Sequence, residues 1–266
     1  STLNYRAADF RKEEDACKGL PYWIQGTKEL WNDCRHIVNN NWKVIRKMGK
    51  DIVIICDGVF PKTEYPRYLI RSADFIICCD GALKKFLRNS LSIFGEERLP
   101  DLVIGDMDTL SDGFQKKYAD IILKETEQEH NDQTKAVRWA LNNISDITAI
   151  HILGATGGRA DHTIGNLSLL MEYTRMFELG DIILETVSDE GTIFPITDTV
   201  ILDCGIGREI SIFSPDNTLK IRSEGLAYST EDVVFDNWWK ATLNKSVEDR
   251  IRLEFSHKSM ALVMMN

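Results

Sequence analysis

Four stretches of the sequence carry residues suited to chemistry on phosphates. They are Asp80-Gly81-Ala82, Gly105-Asp106-Met107-Asp108-Thr109, the polar run from Glu127 through Gln128 to Lys135, and Gly154-Ala155-Thr156-Gly157-Gly158-Arg159-Ala160-Asp161-His162. An extended Asp-x-Asp puts both carboxylates on one side of the chain. Two such charges repel, and each needs a cation to stay ionised. Hard carboxylate oxygens suit Mg²⁺, which combines a few of them with water and phosphate oxygens. The plain alternative for Asp106 and Asp108 is a solvated turn. The glycine-rich stretch offers backbone N–H groups that can cradle phosphate, and Arg159 could clamp a phosphate bidentately. Its spacing is neither a Walker A loop nor a Rossmann fingerprint. Asn131 or Asp132 can cap a following helix. Lys135, one turn inside that helix, stands against the helix dipole and calls for an anionic partner. His162 reads as a hydrogen-bonder at a helix start. Together these groups support metal-assisted phosphoryl or pyrophosphoryl transfer, without naming a substrate.

The elements around these residues explain how they could converge. Apolar runs at Ile52–Cys56, Phe75–Cys79, Leu102–Ile104, Ile121–Leu123 and Ile147–Leu153 read as buried strands. Helical spacing falls at Ala82–Leu91, Asp132–Ile144 and Asp161–Phe177. Strands alternating with helices predict a parallel sheet covered on both faces, with ligands at the carboxyl ends of the strands. After Gly180 the runs shorten and turn residues recur, with candidate strands at Ile182–Val187, Thr192–Ile196, Val200–Leu202, Glu209–Phe213, Leu219–Ile221, Val233–Phe235, Ile251–Phe255 and Ala261–Met264. That pattern predicts an all-β sandwich or barrel. The expected fold class is an α/β parallel-sheet nucleotide-binding domain followed by an all-β sandwich. The expected division is 1–49 as a helical extension, 50–178 as the catalytic domain and 179–266 as the sandwich. Within the extension, Trp31, Cys34, Val38, Trp42 and Ile45 predict an amphipathic helix over Thr27–Lys47.

Composition narrows the partners. The 266 residues are 43% hydrophobic and 27% charged, which excludes a low-complexity or disordered chain. A net charge of −9 argues against broad nucleic-acid binding. No apolar run approaches the ~20 residues of a membrane span. Cys17, Cys34, Cys56, Cys78, Cys79 and Cys204 form no metal-type spacing and read as reduced thiols of a cytoplasmic protein.

The order and spacing of the four stretches resemble those of thiamine pyrophosphokinases, over about Lys50 to the C-terminus. The resemblance implies Mg²⁺-dependent transfer of the terminal diphosphate of ATP to thiamine, giving thiamine diphosphate and AMP. It also implies a homodimer whose active site is shared between subunits. By that resemblance Asp106, Asp108 and Asp132 hold Mg²⁺, and Asp161 completes the catalytic acidic set. Asp80, Gly81, Thr134, Lys135, Gly158 and Arg159 bind ATP, while Gln128, Tyr228, Thr242 and Asn244 contact thiamine. Two departures fall in the sandwich. Gly225-Leu226-Ala227-Tyr228 stands where the family has Gly-Leu-Lys-Trp, and Ala241-Thr242-Leu243-Asn244 replaces Ser-Thr-Ser-Asn. Trp238 and Trp239 are the other candidates for an aromatic wall. These departures keep open a pyrophosphokinase for another heterocyclic alcohol, such as a pterin. A non-catalytic thiamine- or nucleotide-binding protein is a third reading.

Overall fold

The computed structural model describes residues 49–266. The expected helix over 27–47, Cys17 and Cys34 lie outside the described residues. The first strand, β1 (Lys50–Ile55), is followed by α1 (Glu64–Ser72), β2 (Phe75–Cys79), α2 (Ala82–Phe94), β3 (Leu102–Gly105) and α3 (Asp112–Lys117). A short 3-10 turn at Ala119–Ile121 leads into β4 (Ile122–Lys124), then α4 (Asp132–Asn143), β5 (Ile147–Leu153) and α5 (Ala160–Met176). Strands β6 (Ile183–Val187), β7 (Thr192–Ile196), β8 (Val200–Asp203), β9 (Glu209–Phe213), β10 (Ile221–Glu224), β11 (Ala241–Lys245), β12 (Arg250–Phe255) and β13 (Ala261–Met265) complete the chain.

Side chains alternate across each strand, so one apolar run feeds two cores. Ile52, Ile54, Ile150 and Ile152 point to the face covered by α4 and α5, where Val137, Ala140, Leu170 and Tyr173 pack. Val53, Ile55, Ile76 and Cys78 point to the other face, against Leu69 and Ile70 of α1 and Leu83 and Phe86 of α2. The third core lies between the two sheets of the sandwich, around Ile210, Ile212, Ile221, Ile251, Leu253 and Val263.

Ten strands form one sheet in the order β11-β9-β13-β7-β6-β5-β1-β2-β3-β4, and β10-β12-β8 form the second. The expected parallel sheet and the β-rich second half are both present. The boundary expected at 178/179 falls before β6, yet β6 pairs parallel with β5, His151 opposite Glu185. The direction reverses only at β7, where Thr186 pairs antiparallel with Ile193. Helices α1 and α3 were not expected from the spacing. The run Val233–Phe235 forms no strand, because Phe235 enters the sandwich core from a turn-rich loop. Among the described residues no helix is long and apolar enough to cross a membrane.

Candidate active site

The carboxyl ends of β1, β2, β3 and β5 meet at one edge of the sheet, and the polar stretches hang from them. Asp80 follows β2 and still donates its N–H to Ile104 O at 3.0 Å. Its φ of +41° is a left-handed conformation that aspartate tolerates better than most residues. Asp80 is 4% exposed. Its Oδ2 accepts the Thr109 N–H at 3.3 Å, while Oδ1 is buried without a hydrogen-bond partner. Burial pushes the carboxyl pKa up to about 6.

The acidic loop follows β3. The expectation of an extended Asp-x-Asp needs correction: Met107 is left-handed at φ +66°, and the Asp108 N–H folds back onto Asp106 Oδ1 at 3.1 Å. The two carboxylates are therefore gathered by a turn. That backbone N–H, with Gln128 and Lys135 helping, holds the Asp106 pKa below its ordinary value. One oxygen each from Asp80, Asp106 and Asp108 lie within 4.8 Å of one another. Three hard oxygen donors fit Mg²⁺, and Asp80 also carries the buried, unpartnered Oδ1.

Asp132 approaches from the start of α4. A Cβ at Gly105, whose φ is +151°, would lie 3.0 Å from Asp132 Oδ2 and 3.1 Å from Asp80 Cβ, so only glycine lets the two aspartates flank this backbone. Burial raises the Asp132 pKa, offset in part by Lys135. Lys135 Nζ donates to Asp132 Oδ1 at 3.3 Å and to Glu125 O at 3.2 Å. The anionic partner that its place on the helix demanded is thus Asp132. Gln128 Nε2 reaches Asp106 Oδ2 at 3.4 Å.

Other expected residues are engaged differently. Asn131 caps α4 by accepting the Thr134 N–H at 3.0 Å, and the buried Thr134 hydroxyl also bonds Tyr173 Oη at 2.7 Å. Gly81 is buried where a Cβ would meet Asp57 and Thr109. Gly158 is exposed, with open space where a Cβ would be. Arg159 and Asp161 bond each other, Nε to Oδ1 at 3.1 Å and Nη2 to Oδ2 at 2.5 Å. That contact holds the Asp161 pKa down to about 2. A second cluster, Glu127, Glu129 and His130, lies beside Gln128. Its Glu127 already accepts backbone N–H groups from Glu129 and His130 and faces Arg138 at 3.4 Å.

In the sandwich, Asn244 clasps the backbone of Tyr228, accepting its N–H at 3.0 Å and donating to its carbonyl at 2.7 Å. The Thr242 hydroxyl bonds Trp239 O at 2.8 Å. Strand β11 thus gathers Tyr228, Trp239 and Thr242, with Tyr228 70% and Trp239 66% exposed. Sequence reasoning missed Asp57, Lys84 and Lys85. The signal was present: both lysines sit in the first turn of α2, against its dipole, as Lys135 does in α4.

Residues 66–179 match the family model described as thiamin pyrophosphokinase, catalytic domain, and residues 191–262 match the one described as its substrate-binding domain. The chain belongs to the thiamin pyrophosphokinase family. The thiamin pyrophosphokinase 1 of Caenorhabditis elegans is 27% identical over 109 residues, 40% of this chain and 43% of that protein. The thiamine pyrophosphokinase 1 of Arabidopsis thaliana is 30% identical over 164 residues, 50% of this chain and 61% of that protein. These alignments therefore span about half the length of the curated relatives. The solved thiamine pyrophosphokinase of Bacillus subtilis shares the fold, with a TM-score of 0.64 at 19% identity over 82% of this chain and 99% of that one. Both thiamin pyrophosphokinase models fall on elements described above: the catalytic match runs from α1 through α5, the substrate-binding match from Gly191 into β13.

Proposed function

We propose that the protein is a thiamine pyrophosphokinase, transferring the diphosphate of ATP to the hydroxyethyl oxygen of thiamine and releasing AMP. The observation that carries this reading is the Asp80, Asp106 and Asp108 cluster, whose Asp80 also has a buried, unpartnered Oδ1. These residues, with Asp132 alongside, would hold Mg²⁺, which would supply charge neutralisation for the phosphates. The alcohol oxygen forms a bond to the β-phosphorus as the bond from that phosphorus to the AMP oxygen breaks. The chain's part is mainly positioning and charge neutralisation. Lys135 faces the same acidic site and supplies fixed positive charge. Arg159 can turn from Asp161 to a phosphate. Asp132, whose burial favours its protonated form, is the better acceptor for the alcohol proton. Asp161, held at about pKa 2, is the poorer one.

Thiamine is a cation, and the exposed rings of Tyr228, Trp238 and Trp239 suit it through stacking and cation–π attraction. The reading assigns ATP and metal to residues 50–178, thiamine to residues 179–266, and a shared site to a homodimer. The buried free thiols of Cys56, Cys78, Cys79 and Cys204 support a cytoplasmic location. The test is AMP formation from ATP and Mg²⁺ with thiamine or a hydroxymethyl pterin offered in turn. Turnover with the pterin alone, or with neither alcohol, overturns the assignment.

A further inference from the structure

We propose that Lys84 and Lys85 are positioning residues that each hold one half of the phosphate site, Lys84 the acidic loop and Lys85 the glycine loop. Both occupy the first turn of α2, where a positive charge is disfavoured by the helix N-terminus. Their contacts explain why they are there.

Lys85 commits two hydrogen bonds and an ion pair to one two-residue turn after β1. Its Nζ lies 2.7 Å from Asp57 Oδ1, 2.6 Å from Asp57 O and 2.8 Å from Gly58 O. That turn in turn carries the glycine loop. Gly58 donates its N–H to Gly154 O at 2.8 Å, and Val59 donates to Thr156 O at 2.9 Å. A Cβ on Gly58 would sit 2.3 Å from Gly154 O and 2.4 Å from Thr156 O, so the two backbones meet with no room for a side chain. Gly157, Gly158 and Arg159 follow Thr156 along the same segment. Shifting the 57–58 turn therefore shifts the glycine loop.

Lys84 does the corresponding task on the other side. Its Nζ donates to Thr109 O at 2.6 Å. The N–H of the same Thr109 bonds Asp80 Oδ2, and Thr109 directly follows Asp108. Lys84 thus fixes the residue that orients one carboxylate of the cluster and adjoins another. One helix turn sets the spacing between the two loops.

The inference rests on the phosphate-site reading above, and binding measurements separate the two. Mn²⁺ affinity without nucleotide and ATP affinity at saturating Mg²⁺ are measured on the full chain for wild type, Lys84→Met, Lys85→Met and Asp57→Ala, alongside thermal melts. Lys84→Met should weaken Mn²⁺ about tenfold. Lys85→Met should weaken ATP about tenfold and raise its KM, with Mn²⁺ affinity within twofold. Asp57→Ala should copy Lys85→Met, since it cuts the same tether. Tighter ATP binding in Asp57→Ala would mean that Lys85 touches phosphate itself, which overturns the positioning role. Equal losses in both constants for both lysine variants, or no loss in either, also overturn it. Wild-type protein that binds neither Mn²⁺ nor ATP overturns the phosphate-site reading and the inference with it.

Discussion

The ammonium of Lys135 lies 3.3 Å from the carboxylate of Asp132, three residues earlier on the same helix, and its side chain is only 3% exposed. A buried charge without its partner is costly, about 3–5 kcal/mol when one member of a buried pair is removed. Asp132 is the less buried member, so the lower end applies. Lys135→Met should therefore lower the melting temperature measurably at neutral pH. It should also cut kcat/KM on the order of 10²-fold, as for loss of one preorganised electrostatic contributor. Unchanged kinetics with a lowered melting temperature would reduce the pair to a structural one.

Asp106→Asn and Asp108→Asn should each lower turnover on the order of 10²-fold or more while preserving the fold. In Asp106→Asn the side-chain carbonyl can still accept the Asp108 N–H, so the turn persists. The check is rate against Mg²⁺ concentration together with a thermal melt. Near-normal rates for both variants at saturating Mg²⁺ would sink the metal assignment.

Tyr228 is held by its backbone, through Asn244, while its ring stays exposed. Tyr228→Phe should leave kinetics almost unchanged. Tyr228→Ala should raise the KM for thiamine roughly tenfold, about 1.4 kcal/mol, and leave the KM for ATP alone. If both constants rise together, the wall is Trp238 or Trp239.

A shared site in a homodimer makes a separate forecast. Mixing Asp106→Asn chains with Tyr228→Ala chains should raise the rate at thiamine well below the raised KM of the Tyr228→Ala parent, because one site of each hybrid carries neither lesion. Confirmed hybrids with no recovered activity rule the arrangement out.

Asp216, after β9, supplies a pH signature of its own. Hydrogen bonds from the Thr218 hydroxyl, Ser259 and the Thr218 N–H hold its carboxyl well below the usual range. A depressed folded pKa contributes stability above the unfolded value of about 3.9, and that stability is lost as pH falls through the folded value. Asp216→Ala should thus be less stable than wild type at pH 7, by about 1 kcal/mol for a net hydrogen bond. The gap should narrow below about pH 4. Melts across pH 2–8 test this, and a gap that widens in acid contradicts it.

Much of this architecture was legible in the residue order. Apolar runs stopped by Asp80-Gly81, Gly105-Asp106 and Gly154 marked strand ends, because a buried strand must terminate where polar residues and glycine take over. The helix dipole at Lys135 correctly demanded an anion. The direction of β6 was not legible, since a strand of alternating pattern reads the same whether its neighbour runs parallel or antiparallel. The turn at Met107 was hidden because methionine has no preference for a positive φ. Lys84 and Lys85 escaped because their long stems reach loops 25 to 28 residues away in sequence. Arg159 and Asp161 read as two separate phosphate-site groups, whereas their spacing of two lets them close on each other.

The passage of one hydrogen-bonded sheet through both halves of the chain has a mechanical consequence. β6 is laddered to β5 on one side and joined to β7 through Thr186–Ile193 and Val187–Thr192 on the other, so the two halves share one ladder rather than a linker. Bending the halves toward each other would mean tearing a ladder rather than flexing a linker. Closing the sandwich over the acidic loop would therefore cost ladder hydrogen bonds. The stretch from Gly154 to Arg159 lies outside the strands and can shift without that cost.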